Sequence, residues 1–247
     1  MMKALKTTLA ALILAGASAS ALADEVKVAV AANFTAAMKD IARDFEKATG
    51  HTLQVSYGST GKLYTQIENG APFEVLLAAD QKHPKRLVDA GKASDPFTYA
   101  VGRLVLWSAD PEMIKDGAKV LTRNTFNKLA IANPKTAPYG EAAMEVIQSL
   151  AIGEMLTPKL VTGDNIAQTY QFVATKNAEL GFVAKAQIAL NTTGSSWEVP
   201  QEFYRPIRQD AVLLAKGNDN PAAKALMDYL KGDAAKAVIE TYGYGVE

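Results

Sequence analysis

Short apolar runs rich in valine and alanine alternate with amphipathic helical patterns along most of this chain, and few folds accommodate that alternation. Val26 to Ala32 (VKVAVAA) reads as a strand, and the helix after it repeats Met38, Ile41, Ala42, Phe45 and Ala48 before stopping at Gly50. Leu53 to Tyr57 is the next strand. It is followed by Gly58-Ser59-Thr60-Gly61, a short helix carrying Leu63, Tyr64 and Ile67, and a strand from Val75 to Ala79. A β-α-β-α-β run of this kind builds a parallel sheet.

Two segments break the rhythm. Tyr99 to Ala109 (YAVGRLVLWSA) is long, mostly apolar and interrupted at Gly102-Arg103, as expected of a strand leaving one sheet for another. A second α/β unit follows, with strands Leu129 to Ala132, Leu160 to Thr162 and Leu180 to Ala184, and helices Glu141 to Ala151 and Ala167 to Thr175. Tyr204 to Ala215 is again long and extended and supplies a return crossing. Asn220-Pro221, a cap followed by proline at the first helical position, opens a helix with Leu226, Tyr229 and Leu230. The predicted fold class is therefore α/β with two lobes, each a mainly parallel sheet flanked by helices. Lobe 1 is discontinuous (24–102 plus 206–247), and lobe 2 is 103–205. The hinge lies near Gly102 and Arg205-Pro206, and a ligand belongs in the cleft near the strand ends.

Residues 1–23 stand outside this scheme. Lys3 and Lys6 precede an apolar stretch, and Ala21-Leu22-Ala23 fits the small-x-small pattern of signal-peptide cleavage. The run is too short for a spanning helix, which needs ~20 apolar residues. Cleavage after Ala23 sends the mature chain to the periplasm with two more acidic than basic residues. The whole chain balances 26 of each, which argues against nucleic acid as a partner. With no cysteine, disulfides, thiolate metal sites and cysteine nucleophiles are excluded.

Chemistry is scarce. His51 follows a helix end and His83 precedes Pro84 in a predicted loop, without metal-site spacing. Gly58 to Lys62 lacks two residues of the nucleotide phosphate loop: Ser56 stands where glycine is needed and Leu63 where a hydroxyl is needed. Tyr242 and Tyr244 read as core aromatics near the C-terminus. What recurs is a strand ending in small or hydroxyl residues and running directly into a helix, at Ala31 to Thr35, Gly58 to Gly61, Pro138 to Gly140 and Gly163 to Ile166. Each start leaves unpaired amides at the positive end of a helix dipole. Helix capping alone explains any one of them. Four together, two from each lobe, bring roughly +2 of partial charge to one point without a lysine or arginine.

These segments also carry a resemblance. VAANFTAAM, YGSTGKLYTQIENGAP, AADQK, NPKTAPYG, ELGFVA and YLKG are similar to the periplasmic molybdate-binding proteins of ATP-driven uptake systems, a group of type II solute-binding proteins. The likeness spans nearly the whole mature chain. It implies a soluble receptor that captures molybdate, and tungstate with it, and delivers it to an ABC permease and its ATPase. It implies no catalysis, no cofactor and no directly coordinated metal, and a monomer suffices. Carried over by position, the oxyanion contacts fall on Asn33, Thr60, Tyr139 and Ile166. Asn33 stands where many relatives have serine and offers an amide in its place. Tyr139 and Ile166 act through main-chain N–H groups. Ala184 stands where many relatives have a tyrosine, so Tyr139 is expected to bring a hydroxyl from another wall. The alternatives are a receptor for sulfate or another tetrahedral oxyanion, and a periplasmic ester hydrolase or transferase using Tyr139, Thr60 and Asp164.

Overall fold

A computed structural model describes residues 24–191 and 193–247; the leader segment read above lies outside them. In chain order the first elements are β1 (Glu25–Ala31), α1 (Thr35–Thr49), β2 (Thr52–Gly58), α2 (Thr60–Glu68), β3 (Val75–Leu77), α3 (Lys82–Asp89) and β4 (Ala93–Gly102). The chain then passes through β5 (Leu104–Ser108), α4 (Lys119–Arg123), β6 (Leu129–Ala132), α5 (Pro138–Ser149), α6 (Gly153–Leu156) and β7 (Leu160–Gly163). Next come α7 (Ile166–Ala174), β8 (Leu180–Ala184), α8 (Lys185–Ile188) and β9 (Ser195–Glu198). The last elements are β10 (Ile207–Leu214), α9 (Pro221–Lys231) and α10 (Asp233–Thr241).

These elements form a two-lobed α/β structure with two five-stranded sheets, ordered β2-β1-β3-β10-β4 and β7-β6-β8-β5-β9. In the first, Val28 of β1 stands opposite Val55 and Val75 in parallel register, while β10 runs antiparallel to β3 and β4. In the second, β6, β7 and β8 are parallel and β5 runs against β8 and β9. Four strands of each sheet thus point one way and the fifth is reversed. The reversal follows from the crossings, because β4 continues into β5 past the single residue Arg103 and so enters the second sheet against its neighbours.

Hydrophobic burial explains both layers. In α1 the buried stripe is Ala37, Met38, Ile41 and Phe45, and Gly50 closes the helix at φ 77°, its N–H donating to the Glu46 carbonyl. Phe34 sits between β1 and α1 with no exposure, its ring 4.9 Å from that of Tyr99 and 5.3 Å from that of Tyr244, both edge-on.

Three local features depart from the sequence reading. The return crossing is not one extended segment from Tyr204: the chain makes a short turn at Gln201–Phe203 and only becomes a strand at Ile207. Pro206 explains the delay, since it cannot donate to the ladder. Strand β9 (SSWE) is an edge strand with no apolar run to mark it. His83 lies in the first turn of α3 rather than in a loop, its Nδ1 2.7 Å from an Asp80 carboxylate oxygen. Pro84 is tolerated there because first-turn amides have no helical acceptor.

Candidate functional site

All four strand-to-helix segments singled out in the sequence line one small cavity between the lobes, together with Ala79. Residues 31–33 and 58–60 lie at the carboxyl ends of β1 and β2 in one sheet, and residues 137–139 and 165–166 follow β6 and β7 of the other. Asn33, Thr60, Tyr139 and Ile166 all contribute, and none of the lining side chains is charged. A wider groove alongside contains Asp80, Lys82, Glu141, Glu145, Arg205 and Arg208. Its arginines are engaged with acids, Arg205 with Glu141 at 2.8 Å and Arg208 with Glu247 at 2.9 Å. That groove offers an anion no clear field of one sign.

The cavity wall carries one unused side-chain donor. Ser59 occupies the N-cap of α2 but does not cap it, and its hydroxyl is buried with no hydrogen-bond partner among the described residues. A buried hydroxyl left this way costs about 1–3 kcal/mol unless something in the cavity receives it. Thr60 is positioned differently: its Oγ1 accepts the Ala79 amide at 2.9 Å and ties α2 to the end of β3. Its main-chain N–H, in the first turn, has no acceptor within α2.

Helix α7 shows a division of labour. The Asn165 side chain accepts from Ala167 N at 2.9 Å and Gln168 N at 3.0 Å, so it caps the second and third amides and leaves that of Ile166, a residue of the cavity lining, without an acceptor in the helix. In α5 the N-cap is Ala137, which has no side-chain acceptor, and Pro138 has no N–H. Tyr139 therefore brings the first amide of that helix.

The side chains of Asn33 and Tyr139 point into a buried polar cluster behind the cavity. Asn33 Nδ2 donates to Gln209 Oε1 at 2.8 Å and to Tyr244 Oη at 3.0 Å, which uses both of its N–H bonds. The amide expected to replace a serine hydroxyl is thus committed to the wall. Tyr244 Oη in turn donates to the Asn33 carbonyl at 2.8 Å. Gln209 Nε2 donates to Tyr139 Oη at 3.2 Å, and Tyr99 Oη lies 3.1 Å from Gln209 Oε1. Burial pushes the Tyr99, Tyr139 and Tyr244 phenols well above their ordinary range. Ser59 lies in a segment that the sequence singled out, without a contact assigned to it; Tyr244 read there only as a core aromatic, and Gln209 was not marked. Ser59 was detectable from its N-cap position, whereas nothing local marks Gln209 within an apolar strand.

The lobes meet directly beside the cavity. Gly61 N donates to the Thr136 carbonyl at 2.9 Å, and Lys62 Nζ reaches Asp164 at 3.0 Å across the cleft. Among the described residues no cluster of His, Asp or Glu could hold a metal ion, and no helix is long and apolar enough to cross a membrane.

Two lobes joined by two crossings, with a small cavity between them that no charged side chain lines, have the build of a solute receptor. Residues 26–245 match the family model described as bacterial extracellular solute-binding protein, and the chain belongs to that family. Within it, the chain is 59% identical over 233 residues to the molybdate-binding protein ModA of Azotobacter vinelandii, covering 92% of each chain. It is 52% identical over 234 residues to that of Rhodobacter capsulatus, covering 94% of this chain and 92% of the relative. A solved Azotobacter vinelandii periplasmic molybdate-binding protein superposes with a TM-score of 0.87 at 40% identity, over 90% of this chain and 99% of that one.

Proposed function

We propose that this chain is a periplasmic receptor that captures molybdate, and tungstate with it, between its lobes and delivers it to an ABC permease and its ATPase. The lobes are residues 24–102 with 206–247, and 103–205; they hinge at Gly102-Arg103 and Arg205-Pro206 and close on the anion as a monomer. A leader of 23 residues is removed by cleavage after Ala23. The function is binding, not catalysis.

One observation carries this reading: the cavity offers neutral donors and no charged side chain, with the Ser59 hydroxyl still unpartnered. Molybdate and tungstate near neutral pH are proton-free dianions that only accept hydrogen bonds, so neutral donors suit them. Monohydrogen phosphate would bring an O–H with nothing to receive it, a loss of about 1–3 kcal/mol. Sulfate matches the charge but is smaller, and a pocket held by two lobes in contact leaves its hydrogen bonds long. The contacts assigned to the anion are the Ser59 hydroxyl and the main-chain amides of Asn33, Thr60, Tyr139 and Ile166. Four helix starts add their dipoles.

Calorimetric titration of the mature protein with molybdate tests this. Saturable heat and a raised melting temperature are expected, with tungstate competing and sulfate competing weakly. No heat and no thermal shift at micromolar protein would overturn the assignment, and sulfate binding as tightly as molybdate would move it to a general oxyanion receptor.

A further inference from the structure

The buried cluster behind the cavity centres on one residue that does not line it. Gln209 lies on β10 with no exposure, three residues past Pro206. Its Oε1 receives Asn33 Nδ2 at 2.8 Å and faces Tyr99 Oη at 3.1 Å; its Nε2 donates to Tyr139 Oη at 3.2 Å. Asn33 follows β1 of the first sheet and Tyr139 lies in α5 of the second lobe, so one amide grips a cavity residue from each lobe. The crossing strand presses on the same point: a Cβ at Gly102 would stand 2.1 Å from Tyr139 Oη and 2.6 Å from Gln209 Nε2.

We propose that Gln209 is a positioning residue for the anion site, holding Asn33 and Tyr139 together so that lobe closure and assembly of the donor wall are one event. The inference rests on the functional reading above and deepens it. Because Nε2 donates to Tyr139 Oη, the Tyr139 ring is held in the cluster and its main-chain amide is fixed at the start of α5, beside the cavity. Because Oε1 takes an Asn33 N–H, the Asn33 main chain is fixed with its amide at the cavity wall. A carboxylate in place of the amide has no proton to donate to Tyr139 Oη and loses that hold.

Gln209→Glu makes that exchange at nearly constant shape. The ionisable groups facing position 209 are the phenols of Tyr99, Tyr139 and Tyr244. The carboxylates of Asp80 and Asp210 act on the Tyr99 phenol; that of Asp210 bonds Thr98 and Gln81, and that of Asp80 bonds His83. No lysine or arginine hydrogen-bonds to Gln209 among the described residues, so the carboxylate that Gln209→Glu introduces protonates readily as pH falls. Protonated, it again offers one acceptor and one O–H donor. Molybdate titrations of wild type and Gln209→Glu at pH 8 and pH 5.5 are the test. Wild type is expected to bind alike at both. The variant is expected to bind at least tenfold more weakly at pH 8 and to recover most of that loss at pH 5.5. Equal binding of variant and wild type at pH 8, or an equal deficit at both pH values, overturns the proposal while leaving the receptor assignment intact. A wild type that ignores molybdate overturns that assignment and the proposal with it.

A double-mutant cycle gives an independent readout should Gln209→Glu fail to fold. With Gln209→Met and Tyr139→Phe, the combined loss of affinity is expected to be clearly smaller than the product of the separate losses. A product of the two would mean the residues act independently, against the proposal.

Discussion

Gly61 is where one lobe's backbone touches the other's, and replacing it with alanine separates closure from folding. A Cβ there would stand 3.1 Å from Thr136 Cα, 3.2 Å from Thr136 O and 3.3 Å from Thr136 Cβ, in contacts that exist only while the lobes are together. The same shift stretches the 2.9 Å bond from Gly61 N to Thr136 O. Overpacking of this kind costs about 1–3 kcal/mol. Charged to the closed form alone, it weakens anion binding about 5- to 150-fold. The effect on the anion-free protein has the opposite sign. Gly61 is the second residue of α2, where alanine gains about 0.5–1 kcal/mol over glycine. Gly61→Ala should therefore melt at or above the wild-type temperature without anion, yet show a smaller molybdate-induced shift and a weaker calorimetric affinity. An alanine variant that binds as tightly as wild type, or whose anion-free form melts lower, would refute this reasoning.

Three further outcomes follow from the same geometry. Ser59→Ala should weaken molybdate binding about 10- to 150-fold, from a lost charge-assisted bond worth about 1.5–3 kcal/mol, and raise the anion-free melting temperature, because it removes a buried hydroxyl that has no partner in the protein. Thr60→Val should do the reverse, lowering the anion-free stability by about 1–3 kcal/mol by stranding the Ala79 amide; a melt unchanged in Thr60→Val would contradict the role given to its hydroxyl. Lys62→Met removes an exposed ion pair and should shift affinity by no more than about fivefold at low salt, vanishing at high salt, as stopped-flow release rates would show. On the alkaline side, burial holds the Tyr99, Tyr139 and Tyr244 phenols above their unfolded value of 10.0. The folded state then binds more protons above that pH, so stability is full below pH 10 and falls as pH rises through the shifted values, measurable by denaturant titration.

Much of this arrangement was visible in the sequence because it is written in local periodicity. The strand-helix alternation gave both sheets, and the unusual apolar run Tyr99 to Ala109, broken only at Gly102-Arg103, gave the outward crossing, since the strand segments on both sides of the break are largely buried. The four helix starts were legible because amide-rich termini have a residue signature, and they do converge on one cavity. What escaped depends on contacts distant in sequence. Asn33 and Gln209 are 176 residues apart, and only the fold reveals that each satisfies the other. Choosing Ser59 over Thr60 as the free hydroxyl required knowing that the end of β3 delivers the Ala79 amide to the Thr60 hydroxyl. Strand β9 was missed because an edge strand that is half exposed has no need of an apolar run.

Crystals of the tungstate-loaded protein, with the heavy atom located by its anomalous scattering, would decide the matter. Tungsten should lie between the lobes with its oxygens receiving the Ser59 hydroxyl and the amides of Tyr139 and Ile166. A tungsten atom seated instead in the arginine-lined groove, or one whose oxygens lean on lysine or arginine side chains, would mean that charge rather than neutral donors holds the guest.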